Sequence, residues 1–332
     1  MPFVLGIGIL WWMYRGTDWS DFIACITHEM NWGWMLLSLA VGVLPGLIRG
    51  WRWKMSLEPL GEHPRNRTCA NAIFLSYASS LVVPRIGEVT RCGTLKTYES
   101  TPFSKALGTV VTERMVDSVL MILLSGLAMM LQLPTLLHFL EKTGTNVGEI
   151  LHRFTGTGYL VTAICLIALL GLMVLLTYRL AIFKKGKDVM NNLIEGMLSL
   201  RQVKNLPLYF LYSIGIWVCY FLHFYLAFFC FDFTSNIHPL AAFLIFCIGS
   251  FAVLVPTPNG AGPWHFAVKT MLVIYGVAES KAILFALVVH TIQTFEVVLL
   301  GAFGWADLNY MAKKKKVKTA TPADSHTVEQ NN

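Results

Sequence analysis

The chain has 332 residues, of which 55% are apolar and only 14% are charged, and its mean hydropathy is +0.58. About one quarter of the residues of soluble domains are charged, so this composition excludes an ordinary soluble protein and indicates an integral membrane protein. The net charge of +7 does not indicate nucleic-acid binding, because the basic residues lie at the ends of apolar segments, where they set orientation and contact anionic lipid.

Six apolar segments are predicted to be membrane spans, since a spanning helix needs about 20 largely apolar residues. In chain order they are 3–14, 32–53, 106–133, 156–178, 206–231 and 282–306. The first is short, but it lacks the basic start and the small-residue cleavage site of a signal peptide, so we interpret it as a first membrane helix. We assign residues 1–312 to one membrane domain and expect the basic, then polar, residues 313–332 to be a disordered tail.

Two further apolar segments, 70–95 and 240–277, are interrupted by residues that break helices. The predicted break residues are Pro84, Gly87, Pro256 and Pro258. Proline lacks a backbone donor and glycine lacks a Cβ atom, so a helix should end at these points. The limbs on each side are too short to cross a bilayer, which predicts two re-entrant hairpins.

The loops after the second and fourth spans and the C-terminal tail are rich in Lys and Arg, whereas the other loops are not. The positive-inside rule then places both termini in the cytoplasm. With this topology the two hairpins would enter the membrane from opposite faces, as in an inverted repeat with a substrate site near the midplane. The basic segment 179–204 has apolar residues every three or four positions and is predicted to be an amphipathic surface helix.

Charged residues gather around the first break and in the third span. The candidate substrate-binding residues there are Arg85, Glu88, Arg91, Glu113, Arg114 and Asp117. A charge at mid-bilayer costs about 2.5 to 3.5 kcal/mol, so partners must offset it. Two interpretations stay open: a structural ion-pair cluster that ties the hairpin to the third span, or an arginine surplus that leaves one planar guanidinium for the oxygens of an anionic group.

The second break combines irregular backbone with a helix that starts near Trp264, and the free N–H groups of a helix start favour anions. The candidate substrate-binding residues there are Asn259, Gly260, Gly262, His265, His290 and Glu296. A lone histidine in an apolar helix is more often a packing residue than a switch. A carboxylate such as Glu296, in the last span, must bind a proton or find a cation.

The seven cysteines are scattered through apolar segments, with no CxxC pair and no His/Cys cluster at metal-ligand spacing. Such positions indicate small buried residues rather than disulfide bonds or metal ligands. We therefore expect no metal and no cofactor, and the chain contains no nucleotide-binding motif.

Three motifs occur in order: V-P-R-I-G-E-V-T-R (83–91), T-E-R-M-V-D (112–117) and P-T-P-N-G-A-G (256–262). Together with the Arg-Trp-Arg at the end of the second span, they resemble the flippase-like family built on the transmembrane region of lysylphosphatidylglycerol synthases. The resemblance covers nearly the whole chain. It implies a multi-pass fold with re-entrant elements and a role in moving or presenting a phospholipid or polyprenyl-linked lipid.

The chain departs from that family's pattern at two positions. His265 stands where the family usually has a glutamate, and His290 falls where it usually has an arginine. The synthases also carry a large soluble aminoacyl-transferase domain, whereas here only residues 313–332 follow the last span, so transfer of lysine to lipid is not expected.

These observations predict an all-α protein of the cell inner membrane with six spans and two opposed re-entrant hairpins. It would translocate an anionic phospho- or polyprenyl-linked lipid along a path lined by Arg85, Arg91 and Arg114, without being an enzyme. The alternative is a non-transporting membrane partner that docks a glycosyltransferase or another cell-envelope enzyme, although such a partner has no need of six charges inside the bilayer. A membrane enzyme is a third hypothesis, and no convincing nucleophile or metal set supports it. The sequence leaves the lipid, the coupling ion and the oligomeric state open.

Overall fold

The structure is a computed structural model that describes residues 2–15, 19–133 and 202–320, and all regular structure in these residues is helical. The helices are α1 (Pro2–Tyr14), α2 (Trp19–Ala24), α3 (Trp32–Leu57), α4 (Asn66–Val82), α5 (Gly87–Glu99), α6 (Phe103–Leu131), α7 (Leu206–Phe228), α8 (Asp232–Ser235), α9 (Pro239–Ala252), α10 (Pro263–Ile274) and α11 (Glu279–Ala320). The predicted fourth span and almost all of the predicted surface helix lie outside the described residues.

Four of these helices, α3, α6, α7 and α11, are long and apolar enough to cross a membrane. They confirm the second, third, fifth and sixth predicted spans, so the chain is a multi-pass membrane protein. Helix α1 has 13 residues and is therefore about 20 Å long, which is less than the roughly 30 Å of a hydrocarbon core.

The last helix, α11, continues past its apolar part to Ala320. It therefore runs eight residues into the segment 313–332 that the sequence predicted to be a disordered tail. Lysine is a good helix former, so the lysine run can extend a helix that the apolar residues before it have already started.

Both interrupted segments fold as helical hairpins, with the breaks where proline and glycine predicted them. Helices α4 and α5 pack side by side, and Gly87 lies so close to α4 that a Cβ atom on it would collide with the backbone of Ser76. Helices α9 and α10 pack likewise, and a Cβ atom on Gly249 would lie 3.1 Å from the indole nitrogen of Trp264. That the hairpins are re-entrant, and that they enter the membrane from opposite faces as an inverted repeat, stays a prediction.

Helix α4 lies at the centre of the bundle, packed against α3, α5 and α11. Glycines bring the backbones close together. A Cβ atom on Gly50 of α3 would lie 2.7 Å from the backbone nitrogen of Ala70, and one on Gly301 of α11 would collide with Ala78. Lipid is as apolar as the helices, so close packing through small residues is what holds membrane helices together.

Two clusters of buried apolar side chains lie on either side of this centre. The smaller one joins α3, α4, α5 and α6 around Trp53 and Leu95. The larger one is rich in aromatic rings and joins the second hairpin to α7 and α11 around Phe228 and Phe285. Each hairpin is therefore anchored by its own packed group of helices.

The close contact at Gly50 predicts the effect of one added methyl group. In Gly50→Ala the new Cβ atom meets the backbone of α4, which cannot rotate away, so α3 and α4 must separate at a cost of about 1 to 3 kcal/mol. The matched control is Gly93→Ala in α5, where nothing lies within 4 Å of the added atom and better helix propensity should stabilise by about 0.5 to 1 kcal/mol. Unfolding midpoints in mild detergent should move in opposite directions, and a midpoint of Gly50→Ala at or above wild type would contradict the close packing.

Candidate functional site at the junction of the two helix breaks

The two breaks touch each other through Arg85. Its Nη2 atom donates a hydrogen bond of 2.7 Å to the carbonyl oxygen of Leu254, just past the end of α9. The side chain of Arg85 is otherwise exposed. The hairpin tips thus meet, although they are far apart in the chain.

The backbone at Arg85 is unusual for an arginine. The nitrogen of Ile86 donates to the carbonyl oxygen of Val83, which closes a tight turn with Pro84 second and Arg85 third. Arg85 has φ 64, and the third position of such a turn, with positive φ, ordinarily holds glycine or asparagine. The left-handed conformation costs an L-residue about 1 to 2 kcal/mol. The turn itself therefore does not explain why an arginine stands here, and the explanation must lie in what its side chain binds.

The second break is held in shape by neutral polar side chains. The amide nitrogen of Asn259 donates to the hydroxyl of Thr294 at 2.8 Å, and Nε2 of His290 donates to the carbonyl oxygen of Asn259 at 3.1 Å. Nδ1 of His265 accepts from the backbone nitrogen of Gly262 at 3.3 Å, and the two histidine rings lie 4.3 Å apart. Both histidines therefore organise the loop backbone and the start of α10.

Glycines in this break adopt conformations that side chains avoid. Gly260 has φ 71 and Gly262 has φ 93, and Asn259 between the prolines and these glycines has φ 50. Asn259, Gly260, Gly262, His265 and His290 are thus brought together in a kinked turn against α11, whereas Glu296 lies further along α11 beside His223.

A cavity of about 390 Å³ lies beside the junction, with walls from α3, α4, α7, α9, α10 and α11. Ser80 of the first hairpin and Val253 and Asn259 of the second line it. In the part of the chain that the structure describes, its lining holds one carboxylate, Glu296, and no lysine or arginine. The cavity therefore offers polar groups but no fixed positive charge.

The charged residues form a cluster elsewhere, between α3, α5 and α6. Asp117 is its centre, because three guanidinium groups surround it: Arg49 at 3.2 Å, Arg52 at 2.7 Å and Arg114 at 3.3 Å. The side chain of Asp117 is only 8% exposed. A carboxylate so placed needs these partners.

Two glutamates complete the charge cluster. Glu113 lies 3.5 Å from Arg52 and 2.7 Å from Arg91, and Glu88 lies 2.9 Å from Arg91 and 3.4 Å from Arg114. The cluster contains four arginines and three carboxylates, so its net charge is +1 when all are ionised. Arg91 is buried and doubly paired, whereas the side chain of Arg114 is 43% exposed.

Two members of the charge cluster were not recognised from the sequence. Arg49 and Arg52 lie at the end of the second span and were counted among the basic residues that set orientation and contact lipid, but they are 4% and 0% exposed. The burial of these two arginines was missed because arginine beside tryptophan near a helix end is typical both of a membrane interface and of a buried ion pair. Their i,i+3 spacing, which places both on one helix face, was the available signal.

The cavity and the charge cluster are separated by a pair of tyrosines. The hydroxyl groups of Tyr77 and Tyr220 lie 2.8 Å apart and both rings line the cavity. Arg49 is within electrostatic range of both hydroxyls. Aromatic rings also cover the other side of the charge cluster, with Arg91 4.8 Å from the centre of the Trp53 ring.

Among residues 2–15, 19–133 and 202–320, no three His, Cys, Asp or Glu side chains are grouped so that they could hold a metal ion.

The family model described as the lysylphosphatidylglycerol synthase TM region matches residues 1–301, and the chain belongs to this family. No curated protein and no solved structure gives a significant match.

The pairing around Asp117 predicts a large loss of stability when its charge is removed. Asp117→Asn keeps the shape but leaves three guanidinium groups without their shared carboxylate, which should cost about 3 to 5 kcal/mol. Glu58→Gln is the matched control, because Glu58 pairs with Lys54 at 3.8 Å and both side chains are partly exposed, so at most about 1 kcal/mol is expected. Chemical unfolding in detergent micelles measures both, and similar values for the two variants would show that the buried guanidinium groups do not depend on Asp117.

Proposed function

We propose that this member of the lysylphosphatidylglycerol synthase transmembrane-region family translocates a lipid with an anionic headgroup, phospho- or polyprenyl-linked, across the cell inner membrane. The observation that carries the proposal is the contact of two helix breaks beside a polar cavity. Irregular backbone at membrane depth is tolerated where it lines a cavity, and transporters place their substrate between such breaks. The protein would move its lipid without changing it chemically.

The headgroup phosphate would bind Arg85. In the described part of the chain, one of its five N–H donors is used, by Leu254, which leaves a planar fork for phosphate oxygens. Arg114 is the second cation that a headgroup can reach, because it is partly exposed, whereas Arg91 is enclosed by Glu88 and Glu113. Of the three arginines predicted to line the path, the proposal therefore keeps Arg85 and Arg114.

Arg85 also has a role that needs no substrate. A cation beside the last carbonyl groups of a helix is favourable, and Arg85 occupies that place at the end of α9. A lysine at this position keeps the charge but loses the fork, so Arg85→Lys separates the two roles.

The first test is lipid movement in liposomes with headgroup-labelled phospholipid or polyprenyl phosphate, scored by the label that an impermeant quencher reaches. Arg85→Gln should lower lipid affinity about tenfold to a hundredfold, the equivalent of a charge-assisted hydrogen bond of about 1.5 to 3 kcal/mol. Arg85→Lys and Arg114→Lys should also transport poorly while remaining folded. Arg65→Gln is the control, because Arg65 pairs with Glu99 at 2.7 Å, away from both breaks.

Equal rates for wild type, Arg85→Gln and empty liposomes, with both lipid classes, would reject translocation. That result would favour the alternative, a membrane partner that docks a cell-envelope enzyme.

The second test concerns the inverted repeat, in which both termini are cytoplasmic and the hairpins enter from opposite faces. Ile86 and Asn259 are exposed at the two hairpin tips. Single cysteines at these positions, in a protein freed of its seven native cysteines, should react with an impermeant thiol reagent from opposite sides of the membrane. Labelling of both from one side would leave two kinked hairpins of the same orientation and remove the inverted repeat.

A further inference from the structure

Glu296 of α11 faces His223 of α7 inside the cavity. Its Oε2 atom lies 3.9 Å from Nε2 of His223, and the two side chains are 12% and 15% exposed. Both residues line the cavity beside the hairpin junction. Neither contacts the arginines proposed to bind the headgroup, so this pair has a separate role.

The hydrogen bonds of His223 determine where its proton lies. Nδ1 is 2.7 Å from the carbonyl oxygen of Ser38, and a carbonyl oxygen can only accept, so Nδ1 carries the proton. The hydroxyl of Ser38 donates to the carbonyl oxygen of His223 at 2.6 Å, which fixes α3 against α7 and the ring between them. In the neutral ring Nε2 is therefore a lone-pair acceptor directed at Glu296.

An ionised Glu296 is also an acceptor only. Two acceptors facing each other cannot form a hydrogen bond, so the pair is joined only when one further proton is present. That proton can lie on the carboxyl group, which then donates to Nε2, or on Nε2, which then donates to the carboxylate. Either arrangement would let the two side chains, whose nearest atoms are 3.9 Å apart in the structure, close to hydrogen-bond distance around one proton.

Burial favours the state that holds the proton. Oε1 of Glu296 is buried and has no hydrogen-bond donor among the described residues. A carboxylate taken out of water without a partner is far more costly than a neutral carboxyl group. The amide nitrogen of Gln293, one turn earlier in α11, is also buried without an acceptor in the described part of the chain, so the polar groups around Glu296 are not saturated.

The other ionisable groups around the cavity are already engaged. They are Tyr77 of α4, Tyr220 of α7, His290 of α11 and His265 of α10, with Arg49 of α3 behind the tyrosines. The tyrosines bond each other, and each histidine is bound to the backbone of the second break. Arg49 is paired with Asp117.

Helix α3 leaves space for the pair at Gly42. A Cβ atom there would lie 2.7 Å from Cε1 of His223 and 2.8 Å from Oε2 of Glu296. Any larger residue would push the two side chains apart, since the ring is held by Ser38.

We propose that Glu296 and His223 form a proton-binding site that takes one proton from the cavity and releases it during the transport cycle. With the proton bound the pair is neutral, and without it the pair carries one negative charge that repels an anionic headgroup nearby. The proton would therefore bind in the cavity while the lipid anion binds beside it at Arg85, and the two would cross as a symport. The proton site is argued from the positions of Glu296, His223 and Ser38 alone. The symport also requires the proposed lipid translocation.

Infrared difference spectra of the reconstituted protein test the proton site without lipid transport. Wild type should show the C=O stretch of a protonated carboxyl group that disappears as the pH rises. Glu296→Gln should lack this band, and His223→Gln should shift it. Glu29→Gln is the control, because Glu29 is exposed and pairs with Lys281 at 2.7 Å, and it should keep the band unchanged.

A matched glycine pair adds a second readout. Gly42→Ala should displace the pair and shift the band, whereas Gly126→Ala in α6, with nothing within 4 Å of the added atom, should not. The absence in wild type of any pH-dependent band from a carboxyl group or an imidazolium ring, or the same bands in Glu296→Gln, would overturn the proton site.

Transport under an imposed pH gradient tests the symport. For one proton per lipid, a gradient of one pH unit should change the final distribution of labelled lipid by up to about tenfold in wild type. Glu296→Gln should lose this response while lipid still moves down its own gradient. If wild type moves lipid but the final distribution does not depend on the pH gradient, the symport alone is refuted. If wild type moves no lipid under any gradient, the proposed translocation is refuted. In both cases the infrared spectra still decide whether the proton site exists.

Discussion

The organisation of this protein depends on the cost of placing charge inside a membrane. Three carboxylates and four guanidinium groups lie between α3, α5 and α6, and each is in contact with at least one opposite charge. Removing two opposite charges from water costs about as much as their attraction returns, so such groups contribute little net stability but penalise every arrangement that separates them. The charge cluster therefore fixes the position of the first hairpin relative to two spans.

The two hairpins have the same form but different chemistry. The first carries an arginine at its tip and continues into the charge cluster, whereas the second is held by amide, hydroxyl and imidazole groups that need no charge. His265 and His290 lie against each other and bind the backbone of this loop. The carboxylate of the second half that faces the cavity is Glu296, and a histidine from α7 lies beside it.

Local signals in the sequence predicted much of this architecture. Lengths of apolar segments predicted four spans that the structure contains, and proline and glycine predicted the position of both breaks, because each effect acts within a few residues. Pairs between distant segments were not predicted. Arg52 is bound by Asp117, which is 65 residues away in the chain, and nothing near His223 indicates that it faces Glu296. Arg85 illustrates a third case, since it is close to Glu88 and Arg91 in the sequence, but a turn directs its side chain to the other hairpin.

The length of α11 has a mechanical consequence. Its 42 residues form one rod of about 63 Å, roughly twice the thickness of a hydrocarbon core. Along this rod lie the support of the second break at His290, the carboxylate of the cavity at Glu296, the glycine contact with α4 at Gly301 and, further on, Asp307, which binds Arg67 at the start of the first hairpin. A helix without an internal break cannot move one of these contacts and leave the others in place. A tilt of α11 would therefore move both hairpins at the same time. A force applied to the C-terminal part of α11, beyond the membrane, would be transmitted along the helix to both hairpins.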